Sequence, residues 1–163
     1  MHPSRVAAIV ALPLLVLAAL GVPSARGDAA RGKAVYDGKG GCAECHRVRG
    51  NGSRAAPDLS DIGAVREAAE IRRSILEPTM AMQPINRPVR IVTRDGRTIL
   101  GRRLNEDTHT VQLIDREEQL ISLLKADISE FELGQTSEMP SYAGKLSEDE
   151  VADLVAYLLT LKG

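Results

Sequence analysis

Hydrophobic and polar positions change their period along the chain. After an apolar run from Val6 to Leu20, residues 28–37, "DAARGKAVYD", read as a short helix that stops at Gly38, Gly40 and Gly41, where glycine permits a tight turn. "AVREAAEIRRSILE", residues 64–77, places Val65, Ala68, Ile71 and Ile75 on one stripe at helical spacing, with Arg72 and Arg73 outward and Pro78 as the expected stop. Met80 and Met82 then fall among Pro78, Pro84 and Pro88 and are expected in a connecting loop. Beyond Pro88 the period shortens. Runs at 89–94, 97–104, 109–115, 119–124 and 128–133 alternate like strands, with Asp95-Gly96 as a two-residue hairpin signal and "NEDT" and "REE" as further breaks. Five short strands with tight turns fit a small curled sheet or SH3-like barrel, with Gly101 as the bend that helps it curl. The pattern returns to helix at the end, where Ser147 and Glu150 form an S-x-x-E capping box and Val151, Leu154, Val155, Leu158 and Leu161 line one face.

The predicted architecture is therefore a mainly α unit, residues 28–83 and 134–163, interrupted by a small all-β insert, residues 84–133. Met139 lies in the loop between the insert and the last helix.

The leading segment changes the setting. Arg5, the apolar run and the small residues Ala25 and Gly27 flanking Arg26 make residues 1–27 a secretory signal peptide, cleaved before Asp28. The run is interrupted by Pro13 and falls short of the roughly 20 residues that span a bilayer, so membrane contact is expected only if the segment stays uncleaved. Without residues 1–27 the formal charge is −3, the balance of 19 basic and 22 acidic side chains, which is no nucleic-acid footprint. The expected compartment is the periplasm.

Composition adds one oddity: no Trp, one Phe and three Tyr, so aromatic rings contribute little to any core. Both cysteines fall in "GGCAECHRVRG" as Cys42 and Cys45, directly followed by His46. A thioredoxin-like disulfide wants its C-x-x-C at a helix start after a strand, and nothing before Cys42 reads as one. A structural zinc site wants four ligands, and past residue 27 the chain offers only His109 besides His46. Covalent haem c needs what is present: two thiols at the spacing of the vinyl groups and an adjacent imidazole for the iron. A buried porphyrin would also supply the missing flat apolar volume. "GNGSRAAPDLSDIG" after the motif is a loop by composition. In it Pro57 offers a carbonyl to the free ring N–H of His46, against the alternative of an ordinary loop proline. Lys39, Arg47 and Arg49 beside the motif read as a solvated surface, or as a patch that steers an acidic partner.

Together these pieces resemble a class I c-type cytochrome: a first helix with Gly32 and Tyr36, the attachment motif at 42–46, a middle helix, a Met loop and a last helix with Tyr157. More narrowly, "CAECHRVRGNGSRAAPDLSDIG", "SILEPT", "VTRDGRTILGR" and "SEMPSY" are similar to the haem-binding domain that accompanies quinoprotein-dehydrogenase-like proteins, where a β segment precedes the Met loop. The resemblance implies one haem c attached to Cys42 and Cys45, His46 as proximal iron ligand supported by Pro57, and Met139 as distal ligand. Met80, Met82 and His109 are the rivals for the distal place. It further implies an electron carrier between a dehydrogenase and a respiratory acceptor, both redox partner proteins. Many relatives are fused to a large dehydrogenase-like domain, which is not expected within these residues, so their catalysis is not carried over. Two other classes stay open on the sequence: a haem sensor or enzyme with a displaceable distal ligand, and an interaction module that works through the insert.

Overall fold

The structure, a computed structural model, describes residues 27–163, so the segment read as a signal peptide lies outside the described residues apart from Gly27. The first helix, α1 (Ala29–Asp37), is capped by the Asp28 side chain, which accepts from the Arg31 amide at 2.9 Å. A one-turn 3-10 helix at Cys42–Glu44 follows, then a miniature hairpin, β1 (Arg47–Val48) and β2 (Asn51–Gly52). Three helices come next: α2 (Ile62–Val65), α3 (Ala68–Leu76) and α4 (Pro78–Ala81). Five strands are then laid down, β3 (Pro88–Thr93), β4 (Thr98–Glu106), β5 (Thr110–Asp115), β6 (Leu120–Leu124) and β7 (Ile128–Leu133), and α5 (Glu148–Leu159) closes the fold.

Two details of the middle segment differ from the sequence pattern. The stripe from Val65 to Ile75 is not one helix: Arg66 and Glu67 are extended, Val65 is 65% exposed, and only Ile71 and Ile75 reach the core. The break comes from a carboxylate capping box, in which the Glu67 side chain accepts from the third helical amide while Glu70 reaches back to the Glu67 amide at 3.1 Å. Pro78 does not end the segment in a loop either. Its missing N–H is harmless at the first helical position, so it opens α4, which carries Met80, with Met82 just past its end.

The β unit is a five-stranded antiparallel sheet in the order β6-β5-β4-β3-β7. Its alternating side chains Val89, Ile91, Val111, Leu113 and Leu123 form a core separate from that of the helices. The Asp95-Gly96 turn is wider than a two-residue hairpin. Thr93 and Arg97 pair through the Thr93 amide at 2.9 Å, leaving a three-residue loop with Gly96 at φ +87°, a conformation that glycine adopts without strain. Gly101 is not the bend: it pairs in register with both Val89 and Asp115, and the irregularity lies between Arg103 and Asn105. What Gly101 provides is closeness, since a Cβ there would stand 2.3 Å from the Ile114 carbonyl oxygen.

The helical core gathers Tyr36, Ile71, Ile75, Leu146 and the whole predicted stripe of α5. Helices α1 and α5 cross with their backbones nearly touching, because a Cβ on Gly32 would lie 1.9 Å from the Asp153 carbonyl oxygen. Beside that contact Tyr36 and Tyr157 meet edge to face, centroids 5.5 Å apart. Asp153, only 5% exposed, fixes the crossing electrostatically, accepting from the Asp28 amide at 2.6 Å and from Arg31 Nε at 2.7 Å and Nη2 at 2.9 Å.

Two predictions follow from this crossing. Gly32→Ala forces the helices apart, an overpacking cost of about 3 kcal/mol that outweighs roughly 1 kcal/mol of gained helix propensity, so denaturant titration should show a net loss of about 2 kcal/mol. The hydrogen bonds from Arg31 and the Asp28 amide hold the Asp153 carboxyl below its usual range. A depressed folded-state value means that the stabilisation is present above the unfolded aspartate value of about 3.9 and is lost as pH falls below it. Asp153→Asn should therefore lower stability at neutral pH by about 1.5 kcal/mol, the low end for charge-assisted bonds because Arg31 is largely solvated, and leave a shallower loss of stability below about pH 4.

Candidate functional site

The CAECH segment is positioned by its own backbone. Gly41 adopts φ +58° and starts the 3-10 turn, and the amides of Cys45 and His46 both return to the Cys42 carbonyl, at 3.2 and 2.8 Å. The two thiols are not joined to each other; Cys45 is exposed, and Cys42 packs against the helical core. Burial pushes the Cys42 thiol up to about 11, so at neutral pH it is a protonated, poor nucleophile on its own.

His46 turns into a cleft between the helical and β units, whose empty volume is about 1080 Å³ counting the part open to solvent. Its Nδ1 lies 2.7 Å from the Pro57 carbonyl oxygen, which fixes Nδ1 as the donor and leaves Nε2 without a hydrogen-bond partner among the described residues. Burial holds the imidazole below its usual value, opposed by the Pro57 bond and reinforced by the Arg102 charge, so the ring is neutral near pH 7 and Nε2 has a free lone pair.

Across the same cleft lie two methionines. Met82 and Met139 both line it, whereas Met80 is 72% exposed and His109 sits on the surface of the β unit. The Met139 loop is tied down on each side: the Ser137 amide donates to Thr79 Oγ1 at 3.1 Å, the Ser141 hydroxyl to the Leu76 carbonyl at 2.6 Å, and the Tyr142 amide to the Ile75 carbonyl at 3.1 Å. The Tyr142 hydroxyl reaches further and bonds the Gly40 carbonyl, two residues before Cys42. The bonds to Leu76 and Ile75 draw on carbonyls that the end of α3 leaves free.

The arrangement thus brings His46, Pro57, Met82 and Met139 together, while Cys42 and Cys45 stand beside the cleft rather than among its lining residues. The Cytochrome c family model matches residues 29–107. Over those residues the chain is similar to the Cytochrome c family. The match supports a class I c-type cytochrome and with it a haem-based electron carrier; it contains Cys42, Cys45, His46, Pro57 and Met82 but stops short of Met139. No curated protein matches the chain. The cytochrome c match implies covalently bound haem c, and the residues fit such a group: free thiols, an oriented neutral imidazole and a largely apolar cleft of the right order of size.

Sequence reasoning missed Arg102, a cation from β4 that lines the cleft opposite the helices, and the Tyr142 hydroxyl. A lone arginine in a strand carries no signal of its own; the "SY" after "EMP" does hint at anchoring. Lys39, read as a steering candidate, pairs with Glu150 at 2.8 Å.

Tyr142→Phe keeps the ring and removes the tie to Gly40. Chemical denaturation should register a loss of about 1 kcal/mol, the usual worth of one such bond. A loss below about 0.3 kcal/mol would show that the Met139 loop does not depend on this bond.

Proposed function

We propose that the protein is a periplasmic monohaem c-type cytochrome that carries single electrons by outer-sphere transfer from a dehydrogenase, of the quinoprotein kind suggested by its motifs, to a respiratory acceptor. The supporting observation is the cleft in which an imidazole oriented by Pro57 and the thioether of a pinned loop both line one space. Cys42 and Cys45 would hold the haem covalently, and His46 Nε2 and Met139 would bind its iron. When bound, the group supplies a one-electron Fe(III)/Fe(II) couple.

The chain's own task is then to keep that couple simple. Pro57 holds the His46 ring in one orientation and makes it a stronger donor. With two side chains bound to the iron, no place would be left for a substrate, which argues for a carrier over a sensor or an enzyme. Export rests on the leading segment 1–27, in keeping with the usual location of cytochrome c domains. The single C-x-x-C-H in the sequence supports the attachment of one haem.

Met82 is the rival with a specific claim, because it lines the same cleft. Met139 is preferred because four hydrogen bonds anchor its loop to α3, α4 and the residues before Cys42, whereas Met82 follows a one-turn helix and has only partial burial to hold it. Spectra of the purified holoprotein decide. Met139→Ala should abolish the ferric thioether-to-iron charge-transfer band and let the reduced protein bind CO rapidly, while Met82→Ala and Met80→Ala leave both properties unchanged. Loss of the band in Met82→Ala with retention in Met139→Ala would transfer the assignment to Met82.

A further inference from the structure

Arg102 sits on β4 opposite Ile114 of β5, on the face of the sheet turned away from the β core. Ile114 is 3% exposed there, so this face is covered. From it the guanidinium spans to the loop that precedes Pro57, donating from Nε to the Ala55 carbonyl at 3.3 Å and from Nη2 to the carbonyls of Arg54 at 3.1 Å and Ala56 at 3.3 Å. Nη1 has no hydrogen-bond partner, and the guanidinium has no carboxylate within ion-pair distance, among the described residues. Yet the side chain lines the same cleft as His46 and Met139.

A guanidinium stays protonated in proteins, and a partly desolvated one needs an anion or a full set of acceptors. Burial pushes Arg102 below its usual value with nothing to offset it. The chain's own acids at the cleft are already engaged: Glu138 pairs with Arg116 at 2.9 Å, and Asp58 accepts from the Ser60 amide at 2.8 Å and from its hydroxyl at 2.5 Å. No acid of the chain at the cleft is left to face Arg102, and a haem filling the cleft would bring two carboxylates of its own.

We propose that Arg102 is the counter-charge to a haem carboxylate, so that the β unit supplies a positioning residue that sets the potential of the iron. The proposal rests on the haem reading above. A partly buried cation in the cleft favours the less positive, reduced iron, and it also neutralises a carboxylate that would otherwise favour the oxidised form. Both effects raise the potential. The free Nη1 is the group placed for the contact, while Nε and Nη2 hold the loop ending in Pro57.

The test is a spectroelectrochemical titration of holoprotein variants. Arg102→Gln should lower the reduced-to-oxidised ratio at a fixed electrode potential at least threefold, which is about 30 mV for a one-electron couple. Arg102→Lys keeps the charge and should restore most of that shift. A role confined to holding the loop predicts otherwise, because Lys cannot reproduce the three-carbonyl grip and would behave like Gln. Arg66→Gln removes another cleft-lining cation with no tie to this loop; a shift as large as that of Arg102→Gln would overturn the assignment, as would an unchanged potential. Should the variants not fold, the reduced wild-type protein answers by NMR: a nuclear Overhauser contact between Arg102 guanidinium protons and a propionate methylene is expected, and its absence overturns the proposal. Failure of the haem reading is separable, since it would appear first as wild-type protein without covalent haem or without a thioether band.

Discussion

At the base of the β unit the Gly134 amide donates to the Pro88 carbonyl at 2.8 Å, and just above it Val89 pairs with Leu133. Through this closure the first and last strands of the unit lie side by side, so the chain leaves the helical unit and returns to it at almost the same point. Met139 can then reach the cleft of His46 although the whole sheet intervenes in sequence. An open or frayed base would leave the loop between Gly134 and Leu146 free to wander. The remaining anchors, Ser137 on Thr79, Ser141 on Leu76 and Tyr142 on Ile75 and Gly40, would then have to overcome that freedom without it.

The β unit does more than return the chain. Its β5–β6 turn touches both walls of the cleft: Glu118 bonds Ser53 and Arg54 on the His46 side, and Arg116 pairs with Glu138 on the Met139 side. Exposed ion pairs of this kind are worth little singly. Glu118 nevertheless adopts φ +59°, a conformation uncommon outside glycine, and does so in a three-residue turn whose backbone carbonyl and side chain both bond the proximal loop. With Arg102 bonded to the next residues of that loop, the sheet acts as a brace across the site.

The helical unit was legible because each of its signals is local. Asp28 and Ser147 are caps, Val151 to Leu161 keep a strict helical stripe, and the C-A-E-C-H run names its chemistry in five residues. Strand positions were legible for the same reason, with each run matching its strand to within two residues at either end. What could not be read were effects that need a partner far away. Two local signals were ambiguous as well: the Val65–Ile75 stripe is split by two glutamates acting as a cap, and Pro78 could equally stop a helix or start one. Met82 and Met139 could not be ranked by sequence distance, because a folded insert erases distance. Arg102 was invisible until β4 was seen to turn its outer face toward residues 54–56.

That erasure has an energetic side. Closing a flexible loop grows costlier by about 0.6 kcal/mol per doubling of length, so replacing a connection of a few residues by an unstructured one of roughly fifty would cost on the order of 2 kcal/mol. Here the insert has its own core of Val89, Ile91, Val111, Leu113 and Leu123, and its ends are hydrogen-bonded, so the helical unit closes a gap no longer than the span from Pro88 to Gly134. The stability of the β core is thereby linked to the placement of Met139. A lesion in that core, remote from any candidate ligand, reaches the site by loosening β3 from β7, and it does so before the crossing of α1 and α5 at Gly32 is disturbed, because the two cores share no buried residue.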